Sequence, residues 1–171
     1  QNFKNEIIWC YNSAQGSRKN QFVKQHDNLF FYTKTENYYF NKDSKELGYE
    51  PNESTLKRWG NSIDADGNVL FEKLTPALKK KYHTQQKGFN IYKTLITDWW
   101  KINPPHLFGN SENVDYQTQK PKELLMRVIK ASSKENDIVA DFYLGSGTTA
   151  VVCKELNRNF IGCDNNPKAI E

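Results

Sequence analysis

Hydrophobic positions cluster toward the two ends of the chain and thin out between them. Ile7, Ile8, Trp9, Cys10 and Tyr11 predict one strand, and Leu29, Phe30, Phe31 and Tyr32 a second, so residues 1–40 read as an antiparallel pair. From 41 to 115 the apolar periodicity fades and turn residues gather at Gly48, Pro51-Asn52 and Asp66-Gly67. Thr75-Pro76 opens a short helix there, with Thr75 as N-cap and Pro76 in the first helical position. Periodicity returns after Pro121, where Leu124, Leu125, Val128 and Ile129 give one apolar face to a helix over 122–133. The clearest pattern spans 137–164. Ile138, Val139, Ala140 and Phe142 form an apolar run without alternation, which suits a buried parallel strand. Gly145 and Gly147 break it, and a helix from Thr148 to Leu156 follows with Val151, Val152 and Leu156 inward. Asn159 to Cys163 make a further strand that ends at Asp164.

This strand, glycine turn, helix and strand make a βαβ unit that suits a nucleoside or dinucleotide. The turn lets a ligand approach the backbone, and an acid on the second strand can hold ribose hydroxyls. Gly145-Ser-Gly147-Thr-Thr-Ala150 satisfies G-x-G-x-x-[GA], and Asp164 follows Gly145 by 19 residues, so a nicotinamide cofactor is one reading. Asp141 speaks against it: a carboxylate at the strand end would repel a pyrophosphate. The same carboxylate suits a ligand carrying an ammonium and a sulfonium, as S-adenosylmethionine does. Only seven residues follow Asp164, so the other strands of a doubly wound sheet are expected upstream, in permuted order.

Composition narrows the class. The 171 residues suffice for one domain, or one with a small insertion, and 13% aromatic content argues against disorder. A mean hydropathy of −0.84 implies plentiful polar surface. The net charge of +4 is compatible with a polyanionic partner without requiring one. Charge is polarised locally. From Lys73 to Thr97 there are six lysines and no acid, with Tyr82, Phe89 and Tyr92 between them, and Lys79-Lys80-Lys81 is the densest point. A solvated helix face is the plain reading; a nucleic-acid surface is the functional one. The link from Asn12 to His26 likewise holds Arg18, Lys19 and Lys24 and no acid. Asp64-Ala-Asp-Gly67 hints at a calcium loop, but Thr75 stands where the bidentate Glu belongs, so a hairpin turn is expected. Cys10, Cys153 and Cys163 show no metal or redox spacing and read as buried free thiols in a reducing compartment. The histidines are scattered and suggest no zinc site. Without a signal peptide or an apolar run near 18 residues, the expected location is the cytoplasm, with no membrane partner.

Asp141-Phe-Tyr-Leu-Gly-Ser-Gly-Thr-Thr149 resembles the cofactor loop of amino-group DNA methyltransferases of the permuted β class. Thr118-Gln-Lys-Pro121 and the helix after it resemble the segment preceding that loop. Glu6-Ile-Ile-Trp-Cys-Tyr11 and the run from Lys24 to Lys34 resemble the strand pair that follows the catalytic motif, in the style of type III modification subunits. The likeness covers both ends of the chain in matching order; Phe142-Tyr143 stands where the family usually has Pro-Phe.

The resemblance implies an α/β, Rossmann-like S-adenosylmethionine-dependent methyltransferase fold, with a permuted and partial sheet and an inserted target-recognition region. Residues 1–40 would be a strand pair of the catalytic core, 41–115 the recognition region and 116–171 the cofactor-binding part. The cofactor site would comprise Thr118, Gln119, Lys120, Asp141, Tyr143, Gly145, Ser146, Gly147, Thr148, Thr149, Asp164 and Asn165. Arg18, Lys19, Lys79, Lys80 and Lys81 would contact double-stranded DNA. The implied activity is adenine-N6 methylation in a restriction-modification system, with cytosine-N4 methylation and a non-catalytic DNA-binding fragment as alternatives. A restriction subunit or a second copy of the chain would be further partners. The family's catalytic tetrapeptide is Asp/Asn/Ser-Pro-Pro-aromatic, and Asn103-Pro-Pro-His106 resembles it in part. In the permuted class that motif precedes the strand pair, so Asn103 is expected in a link returning to the core, and the tetrapeptide and central strands are expected outside these residues.

Overall fold

The computed structural model describes residues 1–12, 20–43, 45–48, 51, 53–81, 90–92, 97–105, 111–116 and 118–169. They form two compact units, one of residues 1–41 with 97–171 and one of residues 42–96.

In the first unit, β1 (Asn2–Cys10) pairs antiparallel with β2 (His26–Thr33), with Cys10 opposite His26 and a bulge between Phe3 and Asn5. This is the expected pair, longer at its start. The segment expected as a link contains a third strand, β3 (Trp99–Lys101), which runs parallel to β1 and gives the sheet order β2-β1-β3. Burial alternates along Trp99-Trp100-Lys101-Ile102, as on a half-covered strand. Trp9 is buried and its indole N–H donates to the carbonyl of Ile102 (2.8 Å), which ties the two strands just past the end of β3.

Pro121 cannot donate a backbone N–H, and with φ −66° it leads into α3 (Lys122–Ser132). Leu124 and Ile129 are buried as expected. So is Arg127, whose guanidinium lies over the Trp100 ring at 5.3 Å and bonds Glu123 one turn earlier. A planar cation on an indole face keeps its charge while burying its stem, so the helix can seat an arginine against the sheet.

The βαβ unit consists of β4 (Ile138–Asp141), α4 (Thr148–Glu155) and β5 (Asn159–Gly162), the strands parallel in the register Ile138–Asn159 to Asp141–Gly162. Ile129, Val152 and Cys153 form the core between α3 and α4, with Leu125, Met126, Val139 and Leu156 packed against it. Two expectations change here. Val152 is fully buried, whereas Val151, one residue and about 100° round the helix, is half exposed. The strands are covered only in part: among the described residues Val139 packs on the helices, while Ile138 (67% accessible) and, on successive positions of β5, Phe160 and Ile161 are exposed. Among the described residues β4 pairs with β5 alone.

The second unit builds its own core from residues without periodicity: Trp59 at the end of α1 (Glu53–Trp59), Leu74 and Ile91, with Ile63, Val69, Phe71, Leu78 and Tyr92 around them. The expected turn is present. Asp64 accepts from the backbone N–H groups of Asp66 (2.9 Å) and Asn68 (2.8 Å) and from the Asn68 side-chain amide (2.9 Å), and Ile63 bridges Val69. These bonds, the Asn68 side chain foremost, hold the Asp64 carboxyl below the usual carboxylate range. The helix begun by Thr75-Pro76 is α2 (Pro76–Lys81), and the Thr75 hydroxyl accepts from the N–H of Leu78.

Gly67 has φ +80°, and a Cβ there would lie 2.3 Å from the Tyr92 ring. Gly67→Ala should therefore destabilise the 42–96 unit by about 2–4 kcal/mol, strain and clash together. Gly60→Ala, at φ +48° with open space around it, should lose only about 1 kcal/mol. Chemical denaturation of the two variants checks the difference.

Candidate functional site

The site lies where β4 and β5 end side by side. Backbone bonds extend the strand pair beyond its ladder: Cys163 N–H donates to Asp141 O (3.0 Å), and Leu144 N–H to Cys163 O (3.1 Å). The chain then turns through Gly145 (φ +55°) and Gly147 (φ +75°), both in the left-handed region that glycine adopts without steric cost, and enters α4. Gly147 N–H closes the turn on Leu144 O (3.1 Å).

Two carboxylates fix this turn. Asp141, the last residue of β4, accepts from the backbone N–H of Tyr143 (3.0 Å) and from the hydroxyl of Thr149 (2.6 Å) in the first turn of α4. Asp164, just beyond β5, accepts from the N–H of Gly145 (2.7 Å) on one oxygen and of Asn166 (2.8 Å) on the other. The Asn166 and Gly145 bonds hold the Asp164 carboxyl below the usual carboxylate range. Ser146 and Thr148 share a hydroxyl–hydroxyl bond of 2.9 Å, and Thr148 and Thr149 are buried.

The structure thus brings together Asp141, Gly145 to Thr149 and Asp164. Tyr143 contributes its backbone N–H to the turn, and the residue is 91% accessible. Asn165 is exposed. The Thr118–Lys120 segment approaches through a residue that sequence reasoning misses. Tyr116 lies against the turn, its ring 3.3 Å from where a Gly145 Cβ would stand, and its hydroxyl accepts from the Asn166 side-chain amide (3.2 Å). Its carbonyl accepts from Gln119 N–H (3.0 Å). The Gln119 side chain is buried and bonded to the 112–114 backbone, donating to Glu112 O (2.6 Å) and accepting from Val114 N–H (3.0 Å). Thr118 is exposed, and its carbonyl accepts from the ammonium of Lys120 (2.9 Å). An aromatic residue just ahead of the Thr-Gln-Lys-Pro run is the available signal for Tyr116.

The other predicted residues lie elsewhere. Asn103 follows β3, and its side-chain oxygen accepts from the backbone N–H of Asn12 (3.0 Å), bracing the start of the basic link. Arg18, Lys19 and His106 fall outside the described residues. Lys80 and Lys81 are exposed, while Lys79 is half-buried, lies over the Phe71 ring and donates to Glu72 O (3.0 Å). Of the thiols, only Cys153 is sealed; Cys10 is half-buried, and Cys163 is exposed like every residue of β5 before it.

A glycine turn between parallel strands with an acid at each strand end, in a mixed α/β fold of permuted strand order, defines a Rossmann-like methyltransferase fold. The family model described as DNA methylase (N6_N4_Mtase) matches residues 1–171, and the chain belongs to that family of amino-group DNA methyltransferases. It is 32% identical over 169 residues to the type II methyltransferase M1.MboII of Moraxella bovis, covering 98% of this chain and 60% of that protein. It is 32% identical over 109 residues to the probable type III restriction-modification enzyme HindVI Mod subunit of Haemophilus influenzae, covering 63% of this chain and 15% of that protein. Among solved structures, the M1.HpyAVI–SAM complex superposes with a TM-score of 0.53 at 23% identity, over 98% of this chain and 57% of that one. The chain thus spans about 60% or less of these proteins' lengths. Among the described residues, no helix is long and apolar enough to cross a membrane.

The bonds at Asp164 have a pH signature. A carboxyl whose folded pKa is depressed adds stability that is present above its unfolded value, about 3.9, and is lost as pH falls through the lower folded value. The amide resonances of Gly145 and Asn166 should therefore titrate together with a midpoint below about 3.9. That step should be absent from Asp164→Asn.

Proposed function

We propose that this chain binds S-adenosylmethionine at the β4–α4 turn and serves an adenine-N6 DNA methyltransferase of a restriction-modification system. The observation that carries the reading is the pair of carboxylates, Asp141 and Asp164, at adjacent strand ends around a glycine turn. They fit this cofactor. Each carboxylate oxygen has two lone pairs, and the turn occupies one on each Asp164 oxygen, which leaves Asp164 able to accept ribose hydroxyls. Asp141 at the other strand end suits the ammonium of the methionine portion. A Cβ at Gly147 would meet nothing within 4 Å, so a ligand has room beside the backbone. A pyrophosphate fits less well, because the Gly145 N–H that would cradle it already serves Asp164. That weakens the nicotinamide reading.

The bound cofactor supplies the transferable methyl group. Asp164 would hold the ribose and the turn the methionine portion, with Ser146, Thr148, Thr149, Tyr143, Asn165 and the Thr118–Lys120 segment completing the surroundings. We assign no catalytic residue in this chain, and the bond from Asn12 supports Asn103 as a brace. Residues 41–115 would read DNA, with Lys79, Lys80 and Lys81, and with Arg18 and Lys19 from the core, on phosphates. Similarity to a Mod subunit supports a restriction subunit as partner, and action on DNA in the cytoplasm belongs to the same proposal. A second copy of the chain is the remaining partner to test. Cytosine-N4 transfer is the second reading, because the family model spans both amino groups.

Three measurements test this. Calorimetry on the whole protein should find S-adenosylmethionine bound at least about tenfold more weakly by Asp164→Ala, which removes a charge-assisted bond. Unchanged affinity in the folded variant removes Asp164 from the site, and nucleoside analysis of methylated DNA separates N6-methyladenine from N4-methylcytosine. Neutralising Lys79, Lys80 and Lys81 should lower the salt slope of DNA binding by about 0.9 for each phosphate no longer neutralised. An unchanged slope would make the cluster a solvated face.

A further inference from the structure

We infer that Tyr116 is a positioning residue for the nucleoside end of the site, acting through Asn166 on Asp164. This rests on the cofactor reading above. Tyr116, Asn166, Asp164 and Gly145 form a closed circuit. The Asn166 side-chain amide donates to the Tyr116 hydroxyl (3.2 Å). The Asn166 backbone N–H donates to one Asp164 oxygen (2.8 Å), and Gly145 N–H to the other (2.7 Å). The Tyr116 ring then returns to Gly145, with its Cε1, Cζ and hydroxyl oxygen 3.3, 3.8 and 3.9 Å from a Cβ built there.

The members come from three separate stretches of chain: the loop before α3, the turn after β4 and the exit of β5. Nothing in the β4–β5 ladder sets the rotamer of Asp164, since the residue lies beyond its last pair at Gly162. Two N–H donors set it instead. One belongs to a glycine, which tolerates several backbone conformations. The other belongs to Asn166, in the irregular exit segment just before the short helical turn at Pro167–Ala169. Tyr116 braces both donors, Asn166 by hydrogen bond and Gly145 by contact. Its own backbone is held in turn, because its carbonyl accepts from Gln119 N–H (3.0 Å) and the Gln119 side chain is bonded to the 112–114 backbone. A larger residue at 145 would crowd the ring, so glycine there answers to Tyr116 as well as to φ. Among the described residues the Tyr116 hydroxyl accepts a bond and its proton has no acceptor, which leaves that proton for a ligand oxygen or nitrogen.

Tyr116→Phe keeps the ring and removes the hydroxyl. In the whole protein it should raise the KM for S-adenosylmethionine about three- to tenfold, as expected for removing one neutral hydrogen bond, with kcat within about twofold. Without cofactor, the Gly145 and Asn166 amides should exchange with solvent at least about threefold faster than in the parent, while amides in α3 stay unchanged. The exchange measurement needs no cofactor, so it tests Tyr116 even if S-adenosylmethionine fails to bind and the cofactor reading falls. Parental exchange at Gly145 and Asn166 in the folded Tyr116→Phe protein overturns the inference. So does a fall in kcat at constant KM.

Discussion

The hydrogen bond from the Gly145 backbone to the Asp164 carboxylate is the constraint on which the site depends. A glycine turn is cheap to form and equally cheap to deform. Here it must hold one shape between a strand that, among the described residues, pairs with a single neighbour and a helix that begins three residues later. The carboxylate beyond β5 pins the turn to the neighbouring strand, and the carboxylate ending β4 pins it to the first turn of α4 through Thr149. Charge-assisted bonds of this kind are about twice as strong as neutral ones. Two negative groups thus shape a loop that in nucleotide-binding proteins is left open for a ligand's phosphates, and the loop becomes suited to a cationic, hydroxyl-bearing molecule instead.

Packing explains why the rest of the first unit can be thin. The α3–α4 core uses small and medium side chains, Ile129, Val152 and Cys153, and packs against Val139 of β4. The other sheet is tied to α3 by the Arg127–Trp100 contact. Trp9 and Trp100 take the place of a larger aliphatic core in that sheet, and the indole of Trp9 secures the backbone just after β3 as well. The exposed side chains of Ile138, Phe160 and Ile161 on β4 and β5 mark a surface that water covers poorly.

Much of this is legible in the residues. Gly145 and Gly147 announce a turn, Thr75-Pro76 announces a helix start, and the apolar spacing after Pro121 gives Leu124 and Ile129, though not Arg127, of the buried face of α3. Other features are hidden for physical reasons. A three-residue strand such as β3 is too short for periodicity to declare it, although Trp-Trp favours extended backbone. The core of the second unit draws Trp59, Leu74 and Ile91 from separated turns, so no local pattern announces it. The apolar run of β4 overstates its burial, because such a run reports preference, whereas coverage depends on which elements pack against it. At the site, both carboxylates can be located from sequence but not their present partners. Gln119 illustrates the limit: its motif suggests a ligand contact, and its side chain is bonded to its own loop.

The exposure pattern of the cysteines carries a chemical consequence. Cys153 is sealed beneath α3, and burial pushes its thiol pKa up, so it is a poor nucleophile as well as an inaccessible one. Cys163, ten residues further on, faces solvent directly before Asp164. Electrophiles and oxidants can therefore reach one of these two thiols in the native protein and the other only after unfolding. An adduct on Cys163 would sit at the rim of the carboxylate turn, so oxidation of that thiol would act directly beside the most organised feature of the site.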